Sequence, residues 1–188
     1  MASLSAFAGC APVVPAHESA RAVPLEPLAT LSVAAWPGQT AALGEALHRA
    51  LALELPEAGR WTHANGLLAI WMGPDHFYLQ REGAAALLPE LAPVVGDLAA
   101  LIDLTDARAT LRLTGPAARE ILAGLLPLDL HRRGFAPGRA ASTIAGHMTV
   151  QLRQIDAAPS YDLAVGRSFA GSLWRALELA GAGRLRLG

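Results

Sequence analysis

The densest polar cluster in this sequence is HRRGFAPGR at 131–139, where Arg132, Arg133 and Arg139 surround a loop broken by glycine and proline. Guanidinium groups grouped in this way grip a carboxylate or phosphate, or face an acidic partner surface, and the plain alternative is a solvated loop whose charges do nothing measurable. A second stretch, GRSFAGSLWRAL at 166–177, brings Arg167, Ser168, Phe169, Trp174 and Arg175 together. A nucleophilic serine needs a base held within reach, and Ser142, Ser160 and Ser168 have none nearby in sequence and no GxSxG elbow. Ser168 instead precedes Phe169, Leu173 and Leu177 at helical spacing, the position of an N-cap hydroxyl.

The histidines, His17, His48, His63, His76, His131 and His147, are scattered, with no HxH or HExxH spacing. Zinc chemistry is therefore not expected. Asp75 and His76 are adjacent in GPDH, but neighbours on a turn or strand point apart, which suits turn chemistry better than a base and its orienter. In WTHANG (61–66), Asn65 and Gly66 read as a turn. No GxGxxG links a strand to a helix, and the GAG at 181–183 follows a helix. All fifteen positive charges are arginine, so lysine Schiff bases and phosphate-loop lysines are excluded. The expected catalytic, cofactor-binding and metal-binding sets in this chain are all empty.

Charged residues make up only 16% of the sequence and the net charge is −1, which excludes the basic excess that nucleic acid demands and leaves a surface suited to a buried partner interface. No apolar run has the length of a membrane span. The single cysteine, Cys10, forms no intrachain disulfide, and a cytoplasmic location is expected. A hydrophobic content of 53% supports a substantial core.

Several elements position these residues. Residues 1–28 carry four prolines and no sustained period, and read as an extended N-terminal arm whose apolar residues, Phe7 among them, seek a surface to cover. Residues 29–188 read as one α+β domain built from two pseudo-repeats, about 29–97 and 98–188, each running strand, helix, strand, strand, helix. In the first, 29–36 is a strand, 37–53 a helix with Leu43, Leu47 and Leu51 on one face, 67–72 and 77–81 a hairpin about GPDH, and 84–95 a helix. In the second, 109–130 covers a strand and a helix, 148–156 and 161–166 two strands, and 166–177 opens the last helix. Thr30–Leu31–Ser32–Val33 lies 80 residues before Thr110–Leu111–Arg112–Leu113, and 98–107 is expected to bridge the copies.

The motifs DLTDARATLRLTGPAAREIL (103–122), VGRSFAGSLWRAL (165–177), PGQTAAL (37–43) and SAFAG (5–9) together resemble the gamma subunit family of bacterial heterotetrameric sarcosine oxidases over nearly the whole chain. The block from Asp103 to Gly115–Pro116–Ala117 also resembles the aminomethyltransferase (T-protein) superfamily, with Thr105 and Asp106 in place of that family's Ser and His. The resemblance implies a T-protein-like fold and a non-catalytic gamma subunit without cofactor. It implies partners too: an alpha subunit with NAD and folate, a beta subunit with FAD and a shared covalent FMN, and a delta subunit with zinc. Such a complex demethylates sarcosine, or a related N-methyl amine, to glycine with O2, giving H2O2 and formaldehyde or 5,10-methylenetetrahydrofolate. Phe7, Arg132, Arg133, Arg139, Arg167 and Arg175 are then the candidate partner contacts. The rival reading is a folate-binding aminomethyltransferase-like protein.

Overall fold

A computed structural model describes residues 6–7, 20–83 and 86–182. The chain forms two compact units, one continuous from Pro27 to Asp106 and one split, formed by the described residues before Pro27 and after Asp106. Cys10, His17 and most of the 1–28 segment lie outside the described residues.

The continuous unit is a five-stranded antiparallel sheet with two helices. Its strands are β2 (Leu28–Ala35), β3 (Trp61–Ala64), β4 (Leu67–Gly73), β5 (His76–Glu82) and β6 (Ala99–Asp103), in the order β3-β4-β5-β2-β6. The period of two along β2 sends Ala29, Leu31 and Val33 into the core. They join Leu43 and Leu47 of α1 (Thr40–Leu51) and Leu91 and Val95 of α2 (Leu88–Val95), whose spacing gives each helix one apolar face. Pro74 and Asp75 make the two-residue turn between β4 and β5, Asp75 adopting a left-handed φ of 56°. Asn65 and Gly66, with φ of 50° and 76°, link β3 to β4 in the geometry a two-residue hairpin needs. The turn signal thus marks a hairpin whose first strand, β3, the sequence pattern does not reveal. Residues 98–107, expected as a bridge, supply β6, which pairs with β2.

The split unit repeats this plan. Its strands are β1 (Arg21–Pro24), β7 (Arg108–Thr114), β8 (Ala140–Ala145), β9 (Met148–Asp156) and β10 (Ser160–Gly166), ordered β1-β7-β10-β9-β8. Helices α3 (Ala118–Leu125) and α4 (Ala170–Ala182) complete it. Running β6-β2-β5-β4-β3 beside β1-β7-β10-β9-β8 matches strand for strand, and the echoing segments at Thr30 and Thr110 are the equivalent strands β2 and β7. Each unit carries one strand more than expected before its hairpin, β3 or β8. Each also carries an outer strand beside its first: β6 follows the continuous unit's α2 in sequence, whereas β1 comes from the N-terminal segment, pairing Ala22 with Leu113. Leu111, Leu113, Leu163 and Val165 form the core with Ile121, Leu122, Leu173, Trp174 and Leu177.

The opposite face of this sheet carries charge. Asp162 on the central strand lies opposite Arg112 of β7 and opposite Arg153 of β9. Arg112 donates from Nε to Asp162 Oδ1 at 2.6 Å and from Nη2 to Oδ2 at 3.0 Å. Arg153 donates from Nη2 and Nε to Oδ2 at 2.6 and 3.1 Å. The carboxylate is 2% exposed and the Arg153 side chain 7%, so the cluster holds only in this register: a slip of one residue in any of the three strands would turn its charge toward the apolar core and strip the others of that partner.

At the other end of β10, Ser168 is not the helix cap expected of it. It is the exposed middle residue of a 3₁₀ turn, Arg167–Phe169, whose own cap is Gly166 and has no side-chain cap bond; α4 begins at Ala170. Of the expected stripe, Leu173 and Leu177 are buried, while Phe169 is 37% exposed with its ring 5.8 Å from His147.

Two predictions follow from this packing. Asp162→Ala should destabilise the fold by about 3–5 kcal/mol in denaturant titration, because two guanidinium groups lose their counter-charge; a loss under about 1 kcal/mol contradicts the register argument. Ser168→Ala should change stability by less than about 0.5 kcal/mol, against about 2–5 kcal/mol for Leu173→Ala, and the reverse order would restore the capping role.

Candidate functional site

The described histidines have ordinary structural partners. His48 Nδ1 lies 2.8 Å from Glu54 Oε1 at the surface, and the His63 ring packs 5.8 Å from Trp61. Among the described residues no three His, Cys, Asp or Glu side chains are grouped to hold a metal ion. Asp75 does not orient His76: its Oδ1 accepts from Thr40 Oγ1 at 2.5 Å, tying the hairpin turn to the first residue of α1.

His76 instead meets Ser32, Nε2 to Oγ at 2.8 Å, a contact between residues 44 apart that sequence reading missed. The pairing of Ala34 with His76 between β2 and β5 brings Ser32, two residues earlier, diagonally opposite the ring. This is the distance of a nucleophile and its base, and burial pushes the imidazole below its ordinary pKa, toward the neutral form a base requires. Among the described residues no carboxylate pairs with the imidazole, and the ring also meets Tyr78, edge-on at 5.6 Å. A buried serine hydroxyl satisfied by a neutral imidazole is the reading this geometry supports.

The arginines singled out above occupy three separate elements. Arg132 and Arg133 are exposed and Arg139 half-buried in the loop after α3. That loop is organised by its own backbone: Gly134 and Phe135 N–H groups both donate to His131 O, at 2.9 and 2.8 Å, and Phe135 is buried in the core. It also has an acidic member, Asp129, whose Oδ1 accepts from His131 N–H at 2.8 Å. Arg167 is half-buried in the 3₁₀ turn and Arg175 exposed on α4. Phe7 is 4% exposed, its ring 5.9 Å from Trp174 of the same unit.

The Asp103 motif is likewise structural. Asp103 Oδ1 accepts from Thr105 N–H at 2.9 Å, and Thr105 Oγ1 accepts from Thr30 N–H at 3.0 Å, closing the end of β6 onto β2. Gly115, with φ of 109°, turns the chain from β7 into α3.

Comparison with known proteins fits this geometry. The model of the sarcosine oxidase, gamma subunit family matches residues 35–183. The sarcosine oxidase subunit gamma of an Arthrobacter species is 37% identical over 126 residues, 65% of this chain and 61% of that protein. The subunit gamma of Corynebacterium sp. strain U-96 is 36% identical over 138 residues, 70% of this chain and 66% of that protein. The matches thus span somewhat under two thirds of these curated relatives. One chain of the heterotetrameric sarcosine oxidase from Corynebacterium sp. U-96, solved with pyrrole 2-carboxylate, superimposes with a TM-score of 0.83 at 29% identity, covering 96% of this chain and 95% of that one. The glycine cleavage system aminomethyltransferase T from Bartonella henselae shares the fold alone, with a TM-score of 0.66 at 20% identity over 93% of this chain and 52% of that one. With its two matched α+β units and a family match across most of its length, the chain belongs to the sarcosine oxidase gamma subunit family.

Proposed function

We propose that this chain is the non-catalytic gamma subunit of a heterotetrameric sarcosine oxidase, assembling with alpha, beta and delta subunits. The observation that carries the proposal is the match at 0.83 to one chain of such a heterotetramer, end to end in both proteins. The complex would convert sarcosine, or a related N-methyl amine, to glycine with O2, giving H2O2 and formaldehyde or methylenetetrahydrofolate. On this reading FAD, FMN, NAD, folate and zinc reside on the other subunits, the assembly is cytoplasmic, and the chain contributes shape and surface. Its polar side chains suit that role: Asp75, Asp103 and Asp162 each serve a turn or sheet contact. Folate binding by the isolated chain is the second reading, favoured by the fold shared with aminomethyltransferase T.

Co-expression with the alpha, beta and delta subunits of a heterotetrameric sarcosine oxidase should yield a yellow complex retaining this chain through gel filtration. A chain that elutes alone while the flavoprotein turns over without it overturns the proposal, and saturable tetrahydrofolate binding by the isolated chain would favour the second reading.

Ser32→Ala should leave turnover of the complex within about twofold of the parent, whereas loss of a true nucleophile or base costs about a hundredfold or more. Because His76 has a lowered pKa in the fold, the unfolded chain binds its proton first as pH falls. Stability should therefore be full above about pH 6.5, the ordinary histidine value, and decline below it. His76→Gln should flatten that slope in melts taken across the range; an unchanged slope contradicts the assignment.

A further inference from the structure

One half-buried cation in the split unit lacks its counter-charge. Among the described residues no carboxylate pairs with Arg119 of α3. Its Nη1 donates to Phe135 O at 3.4 Å and its Nη2 to Gln154 Oε1 at 3.3 Å, both long for a charged donor, and its Nε is buried without an acceptor. The guanidinium carbon lies 5.6 Å from the centre of the Tyr161 ring, and the Tyr161 hydroxyl, in a fully buried residue, is also without an acceptor. Burial raises the phenol pKa, against the opposing charges of Arg119 and Arg132, so the group remains a donor at neutral pH. Two neighbouring buried donors are short of acceptors, so the missing group is an acceptor.

Arg119 also lines an open depression of about 420 Å³, within the range of small-ligand sites, walled by Pro116, Leu128 and Leu130. Two exposed acids, Glu120 and Asp129, share the lining. Asp129 is engaged by the His131 N–H. Their charge disfavours a doubly charged phosphate more than a singly charged group.

We propose that this depression is a binding site for a small carboxylate with an apolar body, Arg119 holding the carboxylate and Pro116, Leu128 and Leu130 covering the apolar part. Bidentate pairing would supply the ion pair that Arg119 lacks, and the leucines select a hydrophobic acid over acetate.

Benzoate titrated into the full-length chain, followed by NMR or calorimetry, is the test, with acetate and benzylamine as comparisons. Saturable benzoate binding that is tighter than acetate, absent for benzylamine and weakened about tenfold or more by Arg119→Gln supports the site. Ala123→Glu, at an exposed position of α3 that lines the depression, should weaken benzoate comparably while leaving the thermal melt in place, and so serves where Arg119→Gln fails to fold. Absence of saturable benzoate binding, equal binding by both variants, or equal binding of benzylamine overturns the proposal. Repeating the titration on the assembled oxidase separates the sources of the carboxylate. Retained binding supports a small ligand, and binding abolished on assembly overturns it in favour of an acidic side chain of a partner subunit.

Discussion

Asp162, held between Arg112 and Arg153, fixes the register of the split unit. The three side chains come from three adjacent strands and meet only because each strand places them directly opposite one another, on the face away from Leu111, Leu113, Leu152 and Leu163. A buried carboxylate between two guanidinium groups adds little net stability compared with apolar packing. Its cost when mispaired is large, so it selects one alignment of β7, β10 and β9, and with it the placement of β1 and β8 outside them. Alternation of apolar and polar residues then assigns one face to the helices and the other to charge.

On the corresponding sheet face of the continuous unit, the cross-strand contacts are made by uncharged groups. Gln80 Nε2 donates to Thr30 Oγ1 at 3.3 Å, and Ser32 meets His76. The equivalent strands β2 and β7 carry Ser32 and Arg112 at matched positions, so one duplicated architecture has been filled with two polar chemistries. Neither requires a substrate to explain it. This gives the proposed non-catalytic role its physical content: side chains of chemical type are present, and they are spent on register, turns and strand ends.

Much of this was legible in the sequence because long, periodic elements advertise themselves. Leu43 and Leu47 marked α1, the Pro74–Asp75 and Asn65–Gly66 turns marked their hairpins, and the Thr30 and Thr110 echo marked the duplication. Four strands escaped for a common reason. All four lie at sheet edges where only one side is paired, and β3 and β8 carry mixed or small residues, WTHA and AASTIA, so none shows the clean alternation of a central strand. The Asp162 cluster and the Ser32–His76 contact escaped because sequence proximity does not encode them. The only available signal was a charge beside apolar residues in LRL, QLRQ and YDL, which marks one face of a strand without saying what it faces. Ser168 misled for the opposite reason: a serine before an apolar stripe fits a cap, but Gly166 had already started a 3₁₀ turn.

The central claim is that this chain is a cofactor-free member of an oxidase assembly. Native mass spectrometry of the complex purified through this chain tests it most directly, with stepwise dissociation to show which subunit carries each bound group. The account predicts one copy of this chain in a four-subunit assembly, released at the mass of the bare polypeptide, with flavin retained elsewhere. Release of this chain with flavin or folate attached, or its purification only as a free polypeptide, would contradict the account.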